Sequence, residues 1–222
     1  MLRITPLAKN IYPKAKFGLM TVSGIPPTTE RPTMNRIIDT EIEQIRSKYP
    51  DYQRQVALAT EPLCYYASYY KRYKKSYPVL GQLESVLLKG KSIPPVGAPI
   101  ESMFLAEIKN LLLTAGHDLD LIKGTRTIHV ATECINYTGL SGKEQQLVNH
   151  DLYLSDEVGV LSSVLNGPDE RTKITESTRN ACYFVYGVEG VTESLIQEHL
   201  KTIFTYLAQA AQGVKLLSTE IV

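Results

Sequence analysis

Two stretches of this 222-residue chain gather side chains of the kinds that chemistry uses. GPDERTKITESTRN, residues 167–180, alternates hydroxyls with charges and ends in an amide just before the apolar run ACYFVYG. Thr172, Thr175, Ser177 and Thr178 can close turns through their hydroxyls, and Asn180 tolerates unusual backbone angles where a strand begins. Taken alone, these residues make a well-tied loop with Glu170 and Arg171 as surface charges; the competing reading makes the loop one wall of a binding site. YYASYYKRYKKSYP, residues 65–78, sets Lys71, Arg72, Lys74 and Lys75 among tyrosines. Such a cluster can hold phosphates and stack bases, but a helix with inward tyrosines and solvated cations is the commoner arrangement. Lys89 and Lys91 follow shortly and extend the patch if the fold gathers them.

Several chemistries lack their residues. GxSxG, HExxH, GxxxxGK[ST] and GxGxxG are all absent, which removes the simplest hydrolase, zinc-protease, nucleotide and dinucleotide readings. His117, His129, His150 and His199 form no ligand pair at short helical spacing, and Cys64, Cys134 and Cys182 have no CxxC-type spacing. No metal site, disulfide framework or cofactor is expected. A formal net charge of +1 gives no global field to recruit nucleic acid or anionic membrane, so any RNA affinity must come from a local patch. Scattered thiols, the lack of an apolar core in MLRITPLAKN and the lack of a membrane-length apolar run lead to the expectation of a cytoplasmic protein.

The elements that must position these groups follow from periodicity and punctuation. Residues 4–24 contain FGLMTVSGI, an N-terminal strand ended by the loop IPPTTERPT. Ile37, Ile38, Ile42 and Ile45 predict an amphipathic helix to about Tyr49, broken by Pro50. Further helices are predicted over 51–60, within 62–75, over 78–90 with Gly90 as cap, and over 101–114. TIHVAT, HDLYLS, VGVLSSVL and ACYFVYG read as strands, and Thr192 caps a final helix closed by Gly213. VKLLSTEIV can add a strand. The order predicts an α/β fold of the α+β type, with mixed sheets and packed helices in a single domain spanning 1–222.

Three pieces, LLKGKSIPPVGAPIESMFLAEI, AGHDLDLIKG and DEVGVLSSVLNGPDERTKITESTRNACYFV, resemble in order the tRNA-editing domain of the phenylalanyl-tRNA synthetase beta subunit. That domain is formed by the subunit's third and fourth modules, and the resemblance is closest to its free-standing versions. It implies a tRNA-binding protein with a pocket for a misattached amino acid, and tRNA or aminoacyl-tRNA and an amino acid as partners. Glu170 stands where a synthetase glutamate accepts the tyrosine hydroxyl, a contact that rejects the ligand lacking it. Thr172, Thr175, Thr178 and Asn180 would shape the pocket wall, with Ala115 and His117 beside them, while Lys71, Arg72, Lys74, Lys75, Lys89 and Lys91 would meet RNA phosphates. Asp118 and Asp120 are read as tying the turn that opens the strand region. The chain departs from the pattern in four places: Leu113 and Ala115 replace a Pro-x-His step, Phe104 replaces an asparagine, and tryptophan is absent. The implied enzyme is a deacylase acting in trans through a positioned water and oxyanion donors, without a protein nucleophile and without ligase activity. The alternative is a non-catalytic amino-acid or RNA binder with a vestigial pocket.

Overall fold

The computed structural model of the chain describes residues 1–27 and 29–222. It begins with β1 (Leu2–Ile4), α1 (Pro6–Ile11) and β2 (Lys16–Ser23). Helices α2 (Arg31–Lys48), α3 (Arg54–Ala59), α4 (Leu63–Arg72), α5 (Pro78–Lys89) and α6 (Ala98–Asn110) follow. Then come β3 (Thr114–Asp118), β4 (Arg126–Val130), β5 (Asn136–Thr138), β6 (Glu144–Gln146), β7 (Leu152–Ser155) and β8 (Val160–Ser163). β9 (Gly167–Pro168), β10 (Ala181–Gly187), α7 (Glu193–Ala210) and β11 (Lys215–Ile221) come last. The result is the expected α/β class, with helices packed on mixed sheets.

Two sheets carry the architecture. One is fully antiparallel, in the order β11-β2-β10-β3; the other runs β1-β4-β7-β8-β9, with only the β1–β4 pair parallel. β10 is buried along its whole length because both its faces are covered. Tyr183 reaches one way to donate to the Pro99 carbonyl in α6 (3.1 Å), and Tyr186 reaches the other way to the Ser162 carbonyl in β8 (2.8 Å). That explains why ACYFVYG reads as a continuous apolar run without alternation.

α7 lies over β2, with Ile196, Leu200, Ile203 and Leu207 buried at helical spacing and the Thr192 hydroxyl accepting the Leu195 N–H at 3.3 Å. Gly18 makes the contact possible: a Cβ there would fall 2.3 Å from Ile196 Cγ2. In α2 the buried face is Met34, Ile38, Ile42 and Ile45. Three of the four tyrosines of α4 turn inward, while Tyr65 stays partly exposed and donates to Glu61. Tyr66 donates to the Tyr186 carbonyl (2.8 Å), Tyr69 to Asp151 Oδ1 (2.7 Å) and Tyr70 to the Val164 carbonyl (2.5 Å). Their faces lie in the core and are closed to bases.

Three boundaries differ from the sequence expectations. α6 stops at Asn110, short of 114, because Leu111 adopts a left-handed conformation (φ 61°). Its N–H caps the helix on the Glu107 carbonyl (2.7 Å), and its own carbonyl accepts the Tyr77 hydroxyl (3.0 Å). The freed residues become β3, which periodicity had not separated from the helix. Residues 4–24 hold a helix as well as a strand, since the Thr5 hydroxyl caps α1 on the Ala8 N–H (3.3 Å). β5, β6 and β9 are two or three residues long, too short for a period to register.

Candidate functional site

β3 is an edge strand, and its free edge is selectively open. In its antiparallel ladder with β10, hydrogen-bonded pairs alternate. Leu113 bonds Tyr186 and Leu119 bonds Asn180, so Thr114, Gly116 and Asp118 point their N–H groups away from β10. The Thr114 N–H goes to Glu107 Oε1 (2.7 Å) and the Asp118 N–H to the Thr172 carbonyl (2.7 Å). Gly116, between them, has no such partner among the described residues, and it lines a cleft of about 500 Å³. α6 gives one wall through Ile100, Met103, Phe104 and Glu107. The turn after β8 and the 169–180 loop give the other, through Leu165, Asn166, Lys173 and Ile174. Val96 and Leu140 stand on the lips, about half exposed, so the mouth is apolar as well. An apolar cleft with a few convergent polar groups is the usual form of a small-ligand site.

Glu107 is the carboxyl of this cleft. It is 3% exposed, and burial pushes its pKa up to about 8 against the helping Thr114 amide. At neutral pH it is therefore a carboxylic acid. The folded protein keeps a proton that the unfolded chain releases above about 4.5, so this group lowers stability as pH climbs from 4.5 toward 8. A second concavity, about 470 Å³ between α2 and α7, is polar and open. Its Lys109 is already held by Glu41 (2.9 Å) and the Tyr206 hydroxyl (3.0 Å), which leaves the apolar cleft as the stronger ligand site.

The hydroxyl-rich segment is tied to the end of β3. Thr178 donates to Asp118 Oδ2 (2.6 Å), Thr172 donates to Asp169, and Asn180 Nδ2 reaches both Asp120 oxygens at 2.9 Å. Thr175 accepts the Ser177 N–H at 3.3 Å, and its own N–H goes to the Thr178 hydroxyl at 3.0 Å. These four side chains hold the loop and do not line the cleft; Lys173 and Ile174 of the same loop do. Asp118 and Asp120 tie the turn, as their spacing implies.

Glu170 faces outward: its side chain is 40% exposed and pairs with Lys173 at 3.2 Å. His117 is buried, with Nδ1 2.8 Å from the Thr172 hydroxyl and Nε2 without a partner among the described residues, and it does not line the cleft either. Burial lowers its pKa to about 3, so the ring is neutral. Ala115 does line the cleft, as do Leu113 and Phe104.

One carboxylate anchors the loop from below. Asp156 receives the N–H groups of Lys123 (2.8 Å), Val158 (2.9 Å) and Gly159 (3.0 Å) and the fork of Arg171 at 2.9 and 3.1 Å. Burial pushes its carboxyl up, but these donors outweigh it and hold it below the ordinary carboxylate value.

The basic residues divide. Lys75 reaches the cleft rim, donating to Asn166 Oδ1 (2.7 Å) and the Leu165 carbonyl (3.2 Å), while Arg72 lies over the Tyr69 ring at 5.9 Å. Lys71 and Lys74 are exposed nearby. Lys89 ends α5 and Lys91 lies just past it, at the far end of a helix about 18 Å long. The fold does not gather them with the others.

No protein-family model matches the chain, and no curated protein matches it in sequence. Its fold, however, resembles a solved one. A crystal structure of an N-terminal fragment of the phenylalanyl-tRNA synthetase beta subunit from Pyrococcus horikoshii aligns with a TM-score of 0.52 at 16% identity. The alignment covers 97% of this chain and 50% of that fragment, so the chain spans about half its length.

Beside that synthetase fold, the cleft residues that sequence reasoning missed are Glu107, Gly116, Lys173 and Ile174. Glu107 left a signal. Ile100, Met103, Phe104 and Glu107 follow the i, i+3, i+4, i+7 rule, which puts one carboxyl on an otherwise apolar stripe. Gly116 left none, because its role depends on which side of β3 has no neighbour.

Proposed function

We propose that the protein is an RNA-associated member of the synthetase editing-domain group that receives the amino-acid end of an aminoacyl-tRNA in the β3 cleft. The observation that carries this reading is the cleft itself. It is apolar, amino-acid sized and open at the unpaired Gly116 backbone, in a chain whose fold resembles a phenylalanyl-tRNA synthetase fragment. Hydrolysis needs only water and a donor for the developing oxyanion. Water adds to the ester carbonyl, the acyl C–O bond breaks, and a proton leaves with the released ribose hydroxyl. The Gly116 N–H is one backbone donor in the cleft that could meet that oxyanion. In this reading Lys75 and Lys173 at the rim would exchange their contacts with Asn166 and Glu170 for the phosphates of a ribonucleotide end.

Deacylation of a panel of mischarged tRNAs, among them tyrosine on a phenylalanine tRNA, tests the reading. Turnover above the spontaneous rate for at least one pair is expected. A second reading, retention of the ligand without turnover, is favoured by a cleft lining that holds no imidazole among the described residues. Spontaneous rates throughout, with aminoacyl-tRNA still bound, would select it.

RNA affinity should fall steeply with salt. Replacing Lys71 and Lys74 together by glutamine is expected to reduce the slope of log K against log[salt] by about 2. A slope unchanged in the double variant would remove these lysines from the RNA surface.

A further inference from the structure

We infer that Glu107 sets ligand selectivity in the β3 cleft, where its carboxyl favours an apolar side chain bearing one uncharged hydrogen-bonding group. The inference rests on the cleft being a ligand site; it does not depend on whether that ligand is hydrolysed.

Three observations meet at this residue. Glu107 lies in the cleft lining at the end of the stripe formed by Ile100, Met103 and Phe104, so a side chain laid along that stripe runs toward the carboxyl. Oε1 is committed to the Thr114 N–H at 2.7 Å, while Oε2 has no hydrogen-bond partner among the described residues. The strand that supplies the Thr114 amide is itself pinned: the Thr114 hydroxyl lies 2.6 Å from His199 Nε2, and His199 Nδ1 lies 3.2 Å from Asn110 Nδ2. Thr114 thereby fixes Oε1, and Oε2 is left to meet a ligand from a position the fold has set in advance.

The groups around Glu107 decide its charge. The tyrosines nearest it, Tyr66, Tyr70 and Tyr77, are themselves buried and un-ionised, each with its pKa raised chiefly by burial. The cation in the cleft lining, Lys173, is paired with Glu170. With no cation bound to it, the buried carboxyl keeps its proton, so Oε2 can donate to a hydroxyl or carbonyl oxygen as well as accept from one. A purely apolar ligand leaves that group without its water and without a partner, and a charged ligand is desolvated with no compensating ion.

Glu170 has none of these properties, since it is exposed and already paired. The selective carboxyl of this cleft comes from α6 and not from the hydroxyl-rich loop.

Isothermal titration at pH 7 with p-cresol, toluene and benzylamine tests the inference on the wild-type chain, Glu107→Gln and Glu107→Leu. The wild type and Glu107→Gln are expected to prefer p-cresol over toluene by about tenfold, with protonated benzylamine weakest. The glutamine keeps an acceptor for the Thr114 amide and offers a neutral donor to the ligand. Glu107→Leu should still bind toluene while the preference falls to about one. A preference retained in Glu107→Leu, lost in Glu107→Gln, or reversed toward benzylamine in the wild type would each overturn the assignment. If Glu107→Leu does not fold, the glutamine variant and the charged probe still decide. Failure of every probe to bind the wild type would remove the cleft reading together with this one; binding with the wrong selectivity would remove only this one.

Discussion

Gly116→Val is expected to lower ligand affinity in the β3 cleft by roughly 100-fold, the scale on which one or two misplaced methyl groups discriminate in an apolar pocket. Gly116 lies on the free edge of β3, where its missing side chain keeps the cleft open against α6. A Cβ there meets Ile174 Cδ1 at 3.0 Å and Met103 Sδ at 3.1 Å, both far ends of flexible side chains. They can yield, so the strand survives, but the space they yield into is the cleft. The position is free of left-handed strain, and valine suits an extended backbone. Affinity should therefore fall far more than stability. Titration with p-cresol beside a thermal melt checks this; a melting point that collapses along with affinity would mean that Gly116 is needed for folding and not for access. Any deacylation should vanish in the same variant, because the added side chain also crowds the Gly116 amide.

Asp156→Ala should destabilise the fold by about 3 kcal/mol, a fall of roughly 6–12 °C in melting temperature for a chain of this size. The carboxylate gathers three backbone amides and the Arg171 fork, and its side chain is fully buried. Its removal leaves those donors facing one another with no acceptor. Arg171→Met should be milder, because the amides still hold the carboxylate. The Asp156 pKa is depressed in the fold, so its contribution is present above about pH 3.8 and is lost as pH falls through the folded value. The gap between wild type and Asp156→Ala should thus be widest near neutrality and narrow below about pH 4. A gap constant with pH would deny the carboxylate this role and leave only a packing defect.

Both variants show how far sequence reasoning reached. The class, the long helices and β10 were legible because each is announced by local chemistry: Ile38, Ile42 and Ile45 at helical spacing, Thr192 at a cap, ACYFVYG between turn residues. The hydroxyl-rich loop was legible as a tied turn, and its ties to Asp118 and Asp120 are the local bonds that serine, threonine, asparagine and aspartate make. Its part in the cleft was not legible residue by residue. Lys173 and Ile174 line the cleft while Thr172, Thr175, Thr178 and Asn180 turn away, and only the closed loop decides which side chains are spent holding it.

The sequence by itself determined the fold class, the long helices and β10, and the inward tyrosines as the commoner reading of the α4 run. These follow from periods and caps within one element. The tertiary structure alone decided that β3 is an edge strand, that Gly116 lines a cleft, and that Glu107 is buried while Glu170 is exposed. Those properties depend on which neighbours a strand or helix lacks or gains, and burial sets the charge of a carboxyl through contacts distant in sequence. No local pattern carries that information.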